Sequence, residues 1–225
     1  VNAYAKLGLR EEPMLLMEFH GSPAGVKEQA ETVQEIAAEF ESQAFEWATT
    51  PEERTRLWTA RHNAYFAAVQ SRPGCRCLST DTCVPISRLA DCLLDSVKEA
   101  DASGIPYFLV GHVGDGNFHA ILLVSHDNPA EHLAAERLST RMAERALRLG
   151  GTVTGEHGVG IEKVNSMCVQ FSAEENEQMF AIKRAFDPQG LLNPGKVIPT
   201  LNRCAEYGKM LVRGGAIAHP ELERF

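Results

Sequence analysis

The stretch "GHVGDGNFHAILLV", residues 111–124, sets two histidines on either side of a turn built from Gly, Asp and Asn. An Asp-Gly pair between apolar runs is a strong hairpin signal, because both turn residues tolerate positive φ. A two-residue Asp115-Gly116 turn, or a four-residue GDGN loop, places His112 directly opposite His119. Facing Cβ atoms in such a pair lie about 4.5–5.5 Å apart, so both imidazoles can reach one cation. An ordinary hairpin with two hydrogen-bonded histidines satisfies the same text. A second stretch, "TGEHGVG" at 154–160, supplies Glu156 beside His157 among glycines that let the backbone approach a ligand. Two histidines and a carboxylate form a common catalytic metal set that leaves a coordination position for substrate. His157, adjacent to such a metal, is placed to act as a general base. "LWTARHNAYFAA" puts Trp58, Arg61 and Tyr65 on one helix face. The planar fork of Arg61 matches a carboxylate, although a solvated arginine is the plainer reading of these residues alone.

These residues need elements to hold them. "PMLLMEFHG" and "AFEWATT" are expected to be short strands. Helices are expected from the Pro-led "PAGVKEQAETVQEIAAEF" and "PEERTRLWTARHNAYFAAVQ". "CLSTDTCVP" reads as a strand closed by Pro85, and "ISRLADCLLDSVKEADASG" as a helix ending near Gly104. "IPYFLVGHV" and "FHAILLVS" are the hairpin strands, and a long helix follows from Asn128-Pro129 to the Gly150-Gly151 pair. Two more helical stretches run through "NSMCVQF" and "SAEENEQMFAIKRAFD". The tight hairpin forces an antiparallel pair, so the expected class is α+β: an antiparallel sheet with helices on one face.

The 225 residues carry a formal net charge of −8, which argues against nucleic acid or an anionic membrane as the main partner. No apolar run approaches the roughly 20 residues that a membrane helix needs, and the first residues show no secretory pattern. Six irregularly spaced cysteines read as free thiols in a reducing cytoplasm. No GK[ST] follows the glycines of the GEHG stretch, and the pattern is no dinucleotide fingerprint.

Taken together, "GHVGDGNFH", "TGEHGVGIEK" and "FDPQGLLNPGK" resemble the C-terminal substrate domain of FAD-linked 2-hydroxy-acid dehydrogenases, the family of D-lactate dehydrogenases and the FAD-binding subunit of bacterial glycolate oxidase. The resemblance implies one substrate and metal domain over residues 1–199 and an extended tail over 200–225. It implies oxidation of a small 2-hydroxy acid, glycolate or D-lactate, with FAD held mainly by a domain that precedes this one. His112, His119 and Glu156 match the family's ligands for a divalent metal, for which zinc, manganese and iron all suit the donor set. His157 matches the proposed base, Arg61 the carboxylate-binding arginine, and Asn117 a substrate-side polar contact. Asn193 lies in the segment that returns toward the flavin, beside which Glu156 also stands. Ser79 replaces a lysine of the hydroxyglutarate dehydrogenases, which favours monocarboxylates. Other subunits of an oxidase complex, an iron–sulfur subunit among them, are expected partners, with a cytoplasmic location peripheral to the inner membrane. The isolated chain is expected to be inert. The same metal set would also serve a hydrolase or lyase, and the Pro/Gly-rich tail a non-catalytic assembly module.

Overall fold

The computed structural model describes residues 1–5, 8, 11–40, 45 and 47–199. The chain divides into two compact units, Val1–Ser71 and Arg72–Phe225.

The first unit contains α1 (Asn2–Ala5), α2 (Pro23–Glu39) and α3 (Pro51–Ser71). Ser22 caps α2 by accepting from the Gly25 N–H, with Pro23 in the first turn, where a missing N–H costs nothing. At the head of α3, Glu53 accepts from the Thr49 and Thr50 N–H groups while Thr50 Oγ1 accepts from Glu53 N–H. That reciprocal exchange is the capping-box logic. The strand expected at 13–21 does not form: Met14, Leu15 and Met17 are exposed, and the run pairs with no strand among the described residues. The described part of "AFEWATT" is likewise not a strand. Short apolar runs carry no period long enough to decide between strand and coil.

The second unit holds β1 (Cys75–Ser79), β2 (Thr82–Cys83), α4 (Ile86–Ser103), β3 (Tyr107–His112), β4 (Asn117–Ser125), α5 (Pro129–Arg148), α6 (Val164–Gln170) and α7 (Ala173–Phe186). β4 is central and antiparallel to every neighbour. β1 and β2 lie along one edge of β4 in a single continuous register, from Cys75↔Ser125 to Cys83↔Asn117. The row is interrupted only at Thr80 and Asp81. There Thr80 still exchanges with Ala120, its N–H donating to the Ala120 carbonyl and its Oγ1 accepting from the Ala120 N–H.

Because side chains alternate along a strand, β4 has two faces with different work. Phe118, Ala120, Leu122 and Val124 point to the helices and pack with Ala100 and Cys92 of α4 and with Ala135, Leu138, Met142 and Ala146 of α5. Burial of each large aliphatic side chain there contributes about 1.5–3 kcal/mol. The opposite face carries Asn117, His119, Ile121 and Leu123. α4 ends at Gly104 in the left-handed conformation, and α5 begins with Asn128 accepting from the Glu131 N–H. The α+β class, with an antiparallel sheet covered by helices on one face, is as expected.

Two expectations change. The hairpin closes through a 3₁₀ turn, Val113–Asp115, and a left-handed Gly116, so His112 pairs with Asn117 and His119 with Val110. The two histidines are therefore diagonal neighbours on one face rather than directly opposed. Cys75, Cys77, Cys83 and Cys92 are not in disulfides, but Cys168 is disulfide-bonded, so the all-thiol reading fails there.

Candidate metal centre

His119 is the centre of the site. It projects from the non-helical face of β4 and is 7% exposed at its side chain. Its Nδ1 lies 3.0 Å from the Thr80 carbonyl oxygen. A carbonyl only accepts, so Nδ1 carries the proton and Nε2 of the neutral ring presents a lone pair. That lone pair faces Glu156 Oε1, another acceptor, at 2.8 Å. The contact is favourable only with a cation at the pair, either a proton on Nε2 or a metal ion.

His112 supplies the next donor. It ends β3 on the same face, with its Nε2 3.4 Å from the same Glu156 oxygen and its ring 6.2 Å from that of His119. One donor atom from each of His112, His119 and Glu156 lies within 4.8 Å of the others. Ligand atoms around a tetrahedral ion with bonds near 2.1 Å stand about 3.4 Å apart, so the set fits such an ion. Asp81, His119 and His157 form an overlapping cluster. Asp81 is the weaker choice of ligand, because both its oxygens are already engaged and the Nδ1 proton of His119 is committed to Thr80.

Asp81 sits at the break between β1 and β2 with its side chain fully buried. Its Oδ2 accepts from Thr154 Oγ1 at 2.7 Å, His157 N–H at 2.8 Å, Gly155 N–H at 2.9 Å and Glu156 N–H at 3.1 Å. Its Oδ1 accepts from Asn117 Nδ2 at 3.0 Å, and Lys163 Nζ stands 3.4 Å from Oδ2. Burial opposes the charge, but the hydrogen bonds from Thr154, His157 and Asn117, with the Lys163 charge, outweigh it and hold the carboxyl well below the usual range. The GEHG loop is thus wrapped around a buried anion. Gly155 is required by this approach, since a Cβ there would run into the Asn117 amide.

His157 leaves this loop with its ring stacked on His119, 4.6 Å between centroids and 9° between planes. It borders a cleft of about 310 Å³ lined by Ser79, residues 158–163 and Lys196. The third motif reaches the same cleft, because Val197 N–H donates to the Gly160 carbonyl. Asn193 adopts a positive φ of 44° there, and its side-chain oxygen accepts from Lys196 Nζ.

The structure therefore brings His112, His119, Glu156 and His157 together. Asn117 lies beneath them, buried, its Nδ2 given to Asp81 and the Thr82 carbonyl and its Oδ1 without a hydrogen-bond partner. Arg61 is exposed on α3, in the first unit, while the metal set belongs wholly to the second. Sequence reasoning missed Asp81, Thr80 and Lys163 as parts of this site. Asp81 left a trace, a charged residue midway along a strand that is otherwise apolar or neutral. Lys163, six residues beyond His157, closes the TGEHGVGIEK motif, but the motif assigns it no role.

The family model for FAD linked oxidases, C-terminal domain, matches residues 2–197. The chain is 39% identical over 197 residues to the probable mitochondrial D-lactate dehydrogenase of Danio rerio, covering 88% of this chain and 40% of that protein. It is 40% identical over 214 residues to glycolate oxidase subunit GlcD of Escherichia coli K12, covering 95% and 42%. Against the mitochondrial D-lactate dehydrogenase [cytochrome] of Arabidopsis thaliana it is 39% identical over 191 residues, covering 85% and 34%. The chain thus spans well under half the length of these relatives. A match over nearly all of its described residues, on a sheet that presents the histidine and GEHG motifs together, places the chain in the family of FAD linked oxidase C-terminal domains.

Proposed function

We propose that this chain is the substrate-side, metal-holding part of a flavin-dependent dehydrogenase that oxidises glycolate or D-lactate to the 2-oxo acid. The observation that carries the reading is the convergence of His112, His119 and Glu156, with His157 stacked beside them. The names of the relatives, D-lactate dehydrogenase and glycolate oxidase subunit, supply the substrate class and weigh against a hydrolase or lyase.

A zinc, manganese or iron ion held by the three ligands supplies Lewis-acid polarisation of a hydroxyl, and FAD supplies the hydride acceptor. The residues do the rest. His157, on the open side of the set, takes the hydroxyl proton while the α-hydrogen leaves with its electron pair. Arg61 is the proposed partner of the substrate carboxylate. Asn117 acts from below, by fixing Asp81 and so the loop that carries Glu156 and His157. The glycine-rich loop spends its 155–157 N–H groups on Asp81, so they are not free for a pyrophosphate. The chain's share in flavin binding is then an edge contact through Asn193 and the Glu156 side of the metal set.

The subunit name of the Escherichia coli relative supports assembly with other subunits, for which an iron–sulfur electron carrier is the chemistry of choice. No helix among the described residues is long and apolar enough to cross a membrane. A cytoplasmic location at the membrane periphery is proposed with the complex. The tail at 200–225, expected as an extended docking arm, lies outside the described residues.

Steady-state assays of the flavin-loaded protein on a panel of D- and L-2-hydroxy acids test the reading. Dye reduction with glycolate or D-lactate is expected, lost on chelation and restored by zinc or manganese. Turnover that survives full chelation would remove the metal from the proposal. The 225-residue chain given FAD alone is expected to show no turnover, and oxidation of D-lactate by it would overturn that expectation.

A further inference from the structure

Asp81 is a buried carboxylate that touches no expected substrate or cofactor, yet it gathers more donors than any metal ligand here. Thr154 Oγ1 and three consecutive backbone N–H groups, from Gly155, Glu156 and His157, all converge on it at 2.7–3.2 Å. A run of successive N–H groups around one anion is a nest, the arrangement that binds phosphates elsewhere, here filled by the protein's own side chain. Two of the three residues whose amides are held, Glu156 and His157, are the ones whose side chains must point the other way, to the metal and to the substrate. Asp81 occupies the strand level of His119, and its neighbour Thr80 fixes the His119 ring through a carbonyl. Lys163 and Asn117 complete the shell on the remaining sides.

We propose that Asp81 is a positioning residue for the metal centre: it templates the 154–157 loop so that Glu156 and His157 meet the ligands of the β3–β4 hairpin. The inference rests on the metal-centre reading above. Charge matters to it as much as shape. In Asp81→Asn the new amide nitrogen must face either the loop N–H groups or the Asn117 amide, donor against donor in both orientations. Outer partners of metal ligands change metal affinity by about 10–100-fold when removed, and the loop geometry puts Asp81 in that class.

The test measures Mn²⁺ uptake by chelator-stripped protein, by electron paramagnetic resonance of the free ion, together with hydrogen exchange of the 155–157 amides. Asp81→Asn is expected to weaken Mn²⁺ binding by about 10–100-fold and to strip protection from those amides. Thr154→Val removes one donor and leaves the carboxylate, so a fall of a few fold is expected from it. Asp187→Asn, which breaks a carboxylate-centred cap bonded to Lys183, Leu191 and Leu192 and to none of the proposed metal ligands, is expected to lower stability with Mn²⁺ affinity unchanged. A folded Asp81→Asn protein with affinity within twofold of wild type would overturn the proposal. Where Asp81→Asn does not fold, unchanged affinity and protection in Thr154→Val would overturn it equally. If wild type takes up no Mn²⁺, Zn²⁺ or Fe²⁺, the metal reading fails, and amide protection retained in a folded Asp81→Asn protein sinks the templating separately.

Discussion

At the scale of single residues, the proposed function divides the site into groups that would touch the reaction and groups that aim them. His157 belongs to the first. Its ring lies flat on His119, and its own N–H is tied to Asp81, so its side chain is oriented by both neighbours. In His157→Gln the backbone tie persists while proton acceptance is lost. The expected outcome is metal content equal to wild type with kcat lowered by about 10²–10⁴, the usual worth of a positioned base. Parallel metal analysis and steady-state kinetics check it, and a variant that loses its metal would make His157 a ligand instead. The residue types made His112, His119, Glu156 and His157 candidates, although an ordinary hairpin with two hydrogen-bonded histidines fits the same text, and the metal reading of them leans on the family resemblance. They did not reveal that His119 and Glu156 face each other as two acceptors. That requires knowing that Thr80, 39 positions away, claims the Nδ1 proton.

Among the elements, β4 and the loops at its end do most of the positioning. Alternation along β4 turns Leu122 and Val124 into core and His119 into site with no further device. The hairpin turn set the limit of what could be read. Asp115 and Gly116 marked a reversal correctly, but the 3₁₀ turn took four residues, 113–116, and moved the pairing so that His112 meets Asn117. A turn's residues say that the chain reverses; they do not announce the tertiary contact in which the Val84 carbonyl approaches Gly116 and leaves no room for a Cβ. The "FDPQGLLNPGK" motif proves to be largely a helix ending. Asp187 accepts from the Leu191 and Leu192 N–H groups and from Lys183 Nζ, closing α7 onto the segment that follows. The Lys183 bond and the Leu192 and Leu191 N–H groups outweigh partial desolvation and hold the Asp187 carboxyl below its ordinary value of 3.8. A carboxyl lowered by folding stabilises the fold fully above its unfolded value and loses that contribution as pH falls through the lowered one. Urea midpoints measured from pH 6 down to pH 2 are expected to fall more steeply below pH 3.8 in wild type than in Asp187→Asn. Parallel curves for the two proteins would show that the cap contributes nothing.

For the whole molecule, the division into two compact units carries a functional prediction. All three proposed metal ligands and Asp81 belong to the second unit, whereas Arg61 belongs to the first. Arg61→Lys keeps the charge and loses the fork that grips both carboxylate oxygens. It is expected to raise KM for the hydroxy acid by about tenfold or more, a loss equivalent to one charged hydrogen bond, with Mn²⁺ affinity unchanged. A parallel drop in metal affinity would show that Arg61 serves the fold of the second unit rather than the substrate. The sequence by itself determined the secondary elements with clear caps and periods and the α+β class, and it marked out four candidate residues in the two motifs. These depend on local propensity and residue type, which travel with the chain. It did not determine the non-strand conformation at 13–21 and in the described part of 44–50, because short apolar runs acquire a structure only from what they pack against. Nor could it place Asp81 at the centre of the GEHG loop. Only the tertiary structure decides which distant carboxylate a row of backbone N–H groups will enclose, because backbone groups are the same at every position.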